Sequence, residues 1–177
     1  MKIQQKSIIK TVLISALVAS GVGTLLHFVY DWTNENVIVG LFSPVNESVW
    51  EHLKLLFFPL LVSTVIENII YGKYYRNFFF SRLIGALLGI FSIVSLHYTY
   101  TGIIGKRFDF ADVILYFIGM AAAYGISFIM LALHEPKKRD NLIEIFSVFA
   151  LALIAAVFFI FTYFPPSLAI FQSATQG

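Results

Sequence analysis

The sequence predicts an all-α integral membrane protein, built as a bundle of five transmembrane helices. Of its 177 residues, 59% are hydrophobic and only 12% are charged, whereas soluble domains carry about 25% charged residues. The apolar residues form five near-continuous runs, each close to the ~20 residues that cross a bilayer as a helix. Lipid offers no hydrogen-bond partners to the backbone, so helices are the expected spanning form. The runs leave no room for a separate soluble domain, and residues 1–177 are predicted to form one transmembrane domain.

The predicted helices cover about residues 8–30, 46–71, 78–100, 110–134 and 142–164. A cleaved signal peptide is an alternative for the first, but its apolar run is longer than a signal requires, which favours an uncleaved helix. Ser43 followed by Pro44 predicts the cap and first position of the second helix. The prolines after Phe164 end the fifth helix. The 13-residue connection 32–44 is long for a compact bundle, and such connections are often functional.

The basic residues predict the orientation of the bundle, because cytoplasmic loops are enriched in Lys and Arg. Nine of the twelve lie before or within the first turn of the first helix, or in and next to the second and fourth connections. The N-terminus is therefore predicted inside and the C-terminus outside. The net charge of +2 gives no indication of nucleic-acid binding, so the expected partners are membrane lipids, and no oligomeric state is predicted. The absence of cysteine excludes disulfides, a thiolate nucleophile and cysteine-ligated metals.

Small residues at four-residue spacing predict close helix packing in the third and fourth helices. Gly85 and Gly89 form one such pair, and Gly119 with Ala123 forms another. Small side chains allow helix backbones to approach closely in a membrane. We expect these pairs to serve packing within one chain rather than dimerisation.

The second helix carries charge near both ends of an apolar stretch. Lys54 and Glu67 are separated by 12 uncharged residues, or about 18 Å of helix, against a hydrocarbon core of about 30 Å. Some of these polar side chains must therefore face protein or a water-filled cavity. Glu51 is three residues from Lys54 and is predicted to pair with it.

Two further polar segments have simpler interpretations. Near the inner end of the second helix, Glu67 and Asn68 are predicted to pair with Lys73 or Arg76. Asp112 is predicted to interact with the dipole at the start of the fourth helix, from where it could also reach the outer polar residues. Trp50 has the position of an interfacial tryptophan.

Three histidines define a predicted polar layer near the outer leaflet. His27, His52 and His97 each lie 15–17 residues along their helices from predicted inner charges, which corresponds to heights of about 22–26 Å. Imidazole and carboxylate ligands suit zinc or iron, and three protein ligands leave an open catalytic position. The three histidines are therefore candidate metal ligands. The alternative is that each histidine hydrogen-bonds a neighbour and anchors the bundle.

Several residues around this layer are candidate catalytic or binding groups. Glu47 or Glu51 would act as the general base, with Lys54 and Tyr98 as further catalytic candidates and Asn46 as a cofactor-binding one. On a helical wheel, Glu47, Glu51 and Lys54 share one face, and His52 lies about 100° from Glu51. We therefore expect that one metal does not take both Glu47 and His52.

These residues support three hypotheses about function. The sharpest is a metal-dependent hydrolase or transferase that acts on a lipid or lipid-linked substrate, with zinc or iron as cofactor. The second is a small transporter or an ion- or proton-binding membrane subunit, which intramembrane carboxylates would serve. The third is a structural or sensory membrane protein without catalysis, whose histidines sense pH.

Two segments, "HFVYDW" and "GLFSPVNESVWEHLKLLFFP", carry a family resemblance. They resemble an uncharacterised family of small bacterial polytopic membrane proteins, a domain-of-unknown-function family, which the later "LHY" also matches. The resemblance implies a multi-pass protein of the bacterial plasma membrane. It implies no activity, cofactor or substrate.

Overall fold

The computed structural model describes residues 2–72, 75, 77–133 and 140–173, which form helices joined by short connections and no strand. The helices in chain order are α1 (Lys2–Trp32), α2 (Val37–Gly40), α3 (Val49–Ile70), α4 (Phe78–Ile104), α5 (Asp109–Leu133) and α6 (Asn141–Tyr163). A 3₁₀ turn, Ala169–Phe171, follows. All of these helices except α2 are long and apolar enough to cross a membrane. The predicted fold class is confirmed.

Helix α3 lies at the centre of the bundle and contacts α1, α4, α5 and α6. Within its most apolar window, 56% of the residues are buried inside the protein, against 17% for α1 and 22% for α6. The outer helices therefore present most of their apolar side chains outward. The central position of α3 explains how one helix keeps Glu51, Lys54 and Glu67 buried.

The glycine pairs predicted to mediate close packing lie at the α4–α5 contact. A Cβ atom added to Gly85 would collide with the Ser127 hydroxyl and the Ala123 carbonyl. One added to Gly89 would lie 2.8 Å from the carbonyl oxygen of Gly119. The prediction of close packing within the chain is confirmed, since both pairs face each other across this contact.

Helix α3 begins later than the sequence predicted, with Ser48 rather than Ser43 as its cap. The Ser48 backbone is extended (φ −76°, ψ 154°) and its hydroxyl accepts a hydrogen bond from the Glu51 amide. Ser43 is buried instead and donates to the Leu26 carbonyl, while it accepts from the Tyr30 amide. The cap prediction was wrong because Ser43 bonds the end of α1, so Pro44 precedes the helix rather than opening it.

Two aromatic side chains anchor the parts of the chain that flank this region. Trp50 packs against Phe158 of α6 and Phe171 of the 3₁₀ turn, with ring centroids 4.7 and 4.8 Å apart. Its interfacial position stays a prediction, since these contacts fix its neighbours and not its depth. The Tyr163 hydroxyl donates to the Val37 carbonyl over 2.5 Å and ties α2 to α6.

Glu67 has a partner on α4 that the sequence did not predict. Arg82 of α4 donates a hydrogen bond to Glu67, and both side chains are buried. Lys73 and Arg76, the predicted partners, lie outside the described residues, as do the basic residues 137–139. The orientation of the bundle therefore stays a prediction.

Candidate functional site

The polar residues gather at two opposite ends of the bundle. We call the end where α1 stops and α3 starts the histidine end, since it carries His27, His52 and His97. The opposite end, with Glu67 and Arg82, is the arginine end.

At the histidine end, three residues from separate segments form one cluster. His27 of α1, Glu47 of the connection and His52 of α3 each offer a ligand atom, and these atoms lie within 4.8 Å of one another. The two imidazole rings meet edge to face with centroids 5.1 Å apart. His52 Nε2 lies 3.4 Å from Glu47 Oε2. This His27–Glu47–His52 cluster has the donor types of a transition-metal site.

The cap of α3 orients the ring of His52. Its Nδ1 lies 2.8 Å from the Ser48 carbonyl oxygen, which can only accept, so Nδ1 carries the proton. The Glu47 carboxylate can also only accept, so its contact with Nε2 requires a second ring proton, whose place a metal ion would take. Metal-bound histidines commonly donate their other N–H to a carbonyl or carboxylate in this way.

Glu47 reaches His52 because it precedes the helix. The expectation that one metal would not take both residues assumed that Glu47 was helical, and the later start of α3 removes that geometry. The hydrogen bond with His52 lowers the pKa of Glu47 from its usual value, while partial burial opposes that shift. The positive charge of Arg107 acts in the same direction as the hydrogen bond.

His97 lies outside this cluster and contacts other residues. Its Nδ1 is 2.8 Å from Asp112 Oδ1, which also accepts from the Tyr100 hydroxyl over 2.9 Å. The other carboxylate oxygen accepts from Arg107 Nε over 2.5 Å. The structure thus groups Glu47 with two of the three predicted histidine ligands, and places His97 in a neighbouring network. Asp112 reaches His97 because the short turn after α4 brings the start of α5 alongside the end of α4.

Arg107, to which the sequence analysis gave no role, joins the two groups. Its Nη1 donates to the Glu47 carbonyl over 2.7 Å, and Nη2 lies 3.6 Å from the Glu47 carboxylate. The signal in the sequence was a basic residue in a predicted outer loop, where basic residues are few.

A cavity of about 370 Å³ opens beside these groups. Its lining is mostly polar and comes from four parts of the chain: the start of α3, the end of α4, the α4–α5 turn and the C-terminal segment. The lining residues are Glu47, Val49, His97, Tyr98, Thr101, Gly105, Lys106, Arg107, Ala169, Gln172 and Ser173. The cavity brings together Glu47 and Tyr98, both predicted site residues, with His97.

Glu51 and Lys54 do not line this cavity. Lys54 is 0% and Glu51 2% exposed, and Lys54 Nζ lies 2.6 Å from Glu51 Oε2, so the predicted pair is confirmed. The ammonium group also donates to the carbonyls of Gly40 and Ser43, over 2.7 and 3.0 Å. These contacts use all three Lys54 donors. The pair therefore holds the α2–α3 connection in place.

Asn46 also stabilises this connection. Its side-chain oxygen accepts from the Ser48 amide over 2.9 Å, which closes the turn that leads into α3. The contact orients the residues around Glu47, and the predicted cofactor-binding role of Asn46 stays a prediction.

The arginine end is closed and built around a buried cation. Arg82 donates to Glu67 and, over 3.3 Å, to the Tyr71 hydroxyl. Its guanidinium carbon lies 4.9 Å from the ring centroid of Tyr124 and 5.5 Å from that of Phe78. Cations over aromatic faces are stabilised by the ring quadrupole.

These features define a class: an all-α protein with five helices suited to multi-pass membrane insertion and a His/Glu cluster at one end. The model of DUF6512, a family of unknown function, matches residues 1–177, and the chain belongs to this family. No curated protein and no solved structure matches the chain.

Proposed function

We propose that the protein is a membrane metalloenzyme, which holds a divalent ion such as zinc or iron and hydrolyses or transfers a group of a lipid or lipid-linked substrate. The observation that carries the proposal is the convergence of His27, Glu47 and His52 from three segments. Two imidazoles and one carboxylate make up the protein ligands of one common type of catalytic zinc site, which leaves a fourth position for water or substrate.

The dimensions of the cluster support a metal. Zinc bonds of about 2.0–2.2 Å place tetrahedral ligands roughly 3.5 Å apart, so a spread of up to 4.8 Å closes with a shift of about 1 Å. The exposed Glu47 side chain lies on a turn and has room to move. His52 is already oriented by Ser48, so little ordering is required of it.

The position of the cavity supports the proposal of an amphiphilic substrate. It lies at the end of helices long enough to span a membrane, and it shares Glu47 with the cluster. A lipid headgroup would enter such a cavity while its chains stay beside the outward-facing apolar side chains of the bundle. From the charge pattern we expect this end to face the outer leaflet of a bacterial plasma membrane.

The core of α3 is the reason to prefer an enzyme to a transporter. Between the polar groups of the two ends, residues 55–60 of α3 are apolar and buried without interruption. A transporter requires a polar route between the two sides of the membrane, and discontinuous helices usually provide it.

Elemental analysis of detergent-purified protein tests the metal site. We expect near-stoichiometric zinc or iron in the wild type, lost in His27→Ala and His52→Ala. The His97→Ala variant is the matched control, because it removes a histidine of the same end that lies outside the cluster. All variants are checked for folding by size-exclusion chromatography and thermal unfolding.

The outcomes separate the alternatives. No metal in the wild type, even when zinc is supplied during purification, would overturn the proposal. Equal loss of metal in His97→Ala would indicate instead that His27, His52 and His97 are the three ligands. If metal binds, the purified protein is incubated with vesicles of phosphatidylglycerol and phosphatidylethanolamine that contain a polyprenyl phosphate. Products detected by mass spectrometry should disappear on chelation.

A further inference from the structure

His97 combines two features that none of the other described histidines shares: a carboxylate bonded to Nδ1 and a place in the cavity wall. The carboxylate is that of Asp112, at 2.8 Å. Only about a tenth of the His97 side chain is exposed. The ring is thus buried on most sides and open toward the cavity.

Asp112 is itself held by groups on other segments. It accepts hydrogen bonds from Tyr100 of α4 and from Arg107 of the α4–α5 turn, besides His97. A carboxylate fixed by three donors has little freedom to rotate. Because it acts as acceptor, it favours the His97 tautomer with the proton on Nδ1 and the lone pair on Nε2.

We propose that His97 is the general acid–base of this site and that Asp112 is its positioning residue. The proposal rests on the proposed function, since His97 and Glu47, one residue of the His27–Glu47–His52 cluster, line the same cavity. Hydrolases use the same arrangement, in which a carboxylate bonded to one imidazole nitrogen leaves the other nitrogen free to act as the base. Glu51, a base candidate from sequence, is sealed in its pair with Lys54.

Hydrolysis at this site requires only water and the ester besides His97. His97 Nε2 takes a proton from a water molecule in the cavity, and the water oxygen forms a bond to the carbonyl carbon or phosphorus of the ester. The bond to the leaving oxygen breaks with its electron pair. That oxygen then takes the proton from Nε2–H, which returns His97 to its starting state.

The charged surroundings of His97 come from every neighbouring segment. Asp112 and Arg107 lie on the Nδ1 side, and Tyr98 and Tyr100 flank it on α4. Glu47 and Lys106 line the same cavity from the α3 entry and the α4–α5 turn. His97 therefore borders a space that holds charges of both signs.

The tautomer of His97 is the first test. Wild-type protein with ¹⁵N-labelled histidine is purified in detergent micelles, and long-range ¹H–¹⁵N correlation spectra are recorded from pH 6 to 8. His97→Gln identifies the His97 signals among the four histidines. We expect a neutral Nδ1–H tautomer at pH 8. A ring that is doubly protonated at pH 8, or one with the proton on Nε2, would overturn the proposal.

Chemical modification tests access to Nε2. Diethyl pyrocarbonate acylates an unprotonated imidazole nitrogen, and mass spectrometry measures the rate for the peptide that contains His97. In Asp112→Asn the amide can donate to Nδ1 and leave the proton on Nε2, so we expect the rate to fall about tenfold or more. The matched control is Asp109→Asn, an exposed acid on the same helical turn. Equal rates in the wild type and Asp112→Asn, or no acylation of His97, would also overturn the proposal.

These measurements are separate from those on the metal. Neither the tautomer nor the acylation rate requires a bound ion or a known substrate. If only the proposed function is wrong, the protein will contain no metal and His97 will still have the Nδ1–H tautomer. If only the present inference is wrong, the protein will bind metal but His97 will not have the Nδ1–H tautomer.

Discussion

The two ends of the bundle use buried charge in different ways. At the arginine end, Glu67 and Arg82 are enclosed by aromatic side chains, and both are buried. At the histidine end, a second buried pair, Glu51 with Lys54, anchors a connection, while His27, Glu47 and His52 lie nearer the surface. Burial of a charge on α3 thus marks a structural pair, whereas the candidate metal ligands are the partly exposed groups beside it.

The largest expected effect is at the arginine end. Arg82→Met leaves Glu67 as an uncompensated buried charge, which costs about 3–5 kcal/mol of folding free energy. The double variant Arg82→Met/Glu67→Leu removes both charges and should recover most of that loss. Unfolding by SDS in mixed micelles measures the difference. A double variant no more stable than the single one would show that the pair is not the source of the effect.

A somewhat smaller effect is expected at the structural pair of the histidine end. Lys54→Met breaks its contacts with Glu51, Gly40 and Ser43, and we expect a loss of about 3 kcal/mol together with faster proteolysis of the α2–α3 connection. Lys106→Met is the matched control, since it removes an exposed cation and should change stability by less than about 0.5 kcal/mol. If Lys54 served catalysis alone, both variants would be equally stable.

Arg107 links the two groups of the histidine end and should have a moderate effect. Its bonds to Asp112 and to the Glu47 carbonyl predict a loss of about 1.5–3 kcal/mol in Arg107→Gln. A double-mutant cycle with Asp112→Asn isolates the coupling. We expect coupling between these positions but none between Arg107 and Arg82, which lies at the opposite end. Additive effects of Arg107 and Asp112 would contradict the network.

The smallest effect concerns pH. Because the folded-state pKa of Glu47 is lowered from 4.5, its stabilising contribution is present above the unfolded-state pKa. It is lost as the pH falls through the lower folded-state pKa. The Glu47 side chain is 57% exposed, so solvent screening limits the contribution to less than about 1 kcal/mol.

A comparison of Glu47→Gln with the wild type between pH 3 and 6 measures this contribution. The variant should lose the corresponding part of the pH dependence of unfolding, whereas Asp31→Asn, at an exposed acid, should retain it. Identical pH profiles of Glu47→Gln and the wild type would contradict the assignment.

The class of fold and the main helices were predictable from the amino-acid sequence, because the length and apolarity of a spanning segment are local properties of the chain. It also predicted the Glu51–Lys54 pair, whose spacing is fixed within one helix, and the close approach of Gly85 and Gly89 to a neighbour. The bundle orientation, the metal and the substrate remain predictions.

Tertiary packing alone sets which polar residues of different helices meet. Glu67 bonds Arg82 of the next helix, and His97 bonds Asp112 of the one after. The cap of α3 moved from Ser43 to Ser48 because Ser43 bonds the end of α1, and that shift freed Glu47 to approach His52. Such partners depend on how helices rotate and on where their connections pack, and long-range packing sets both.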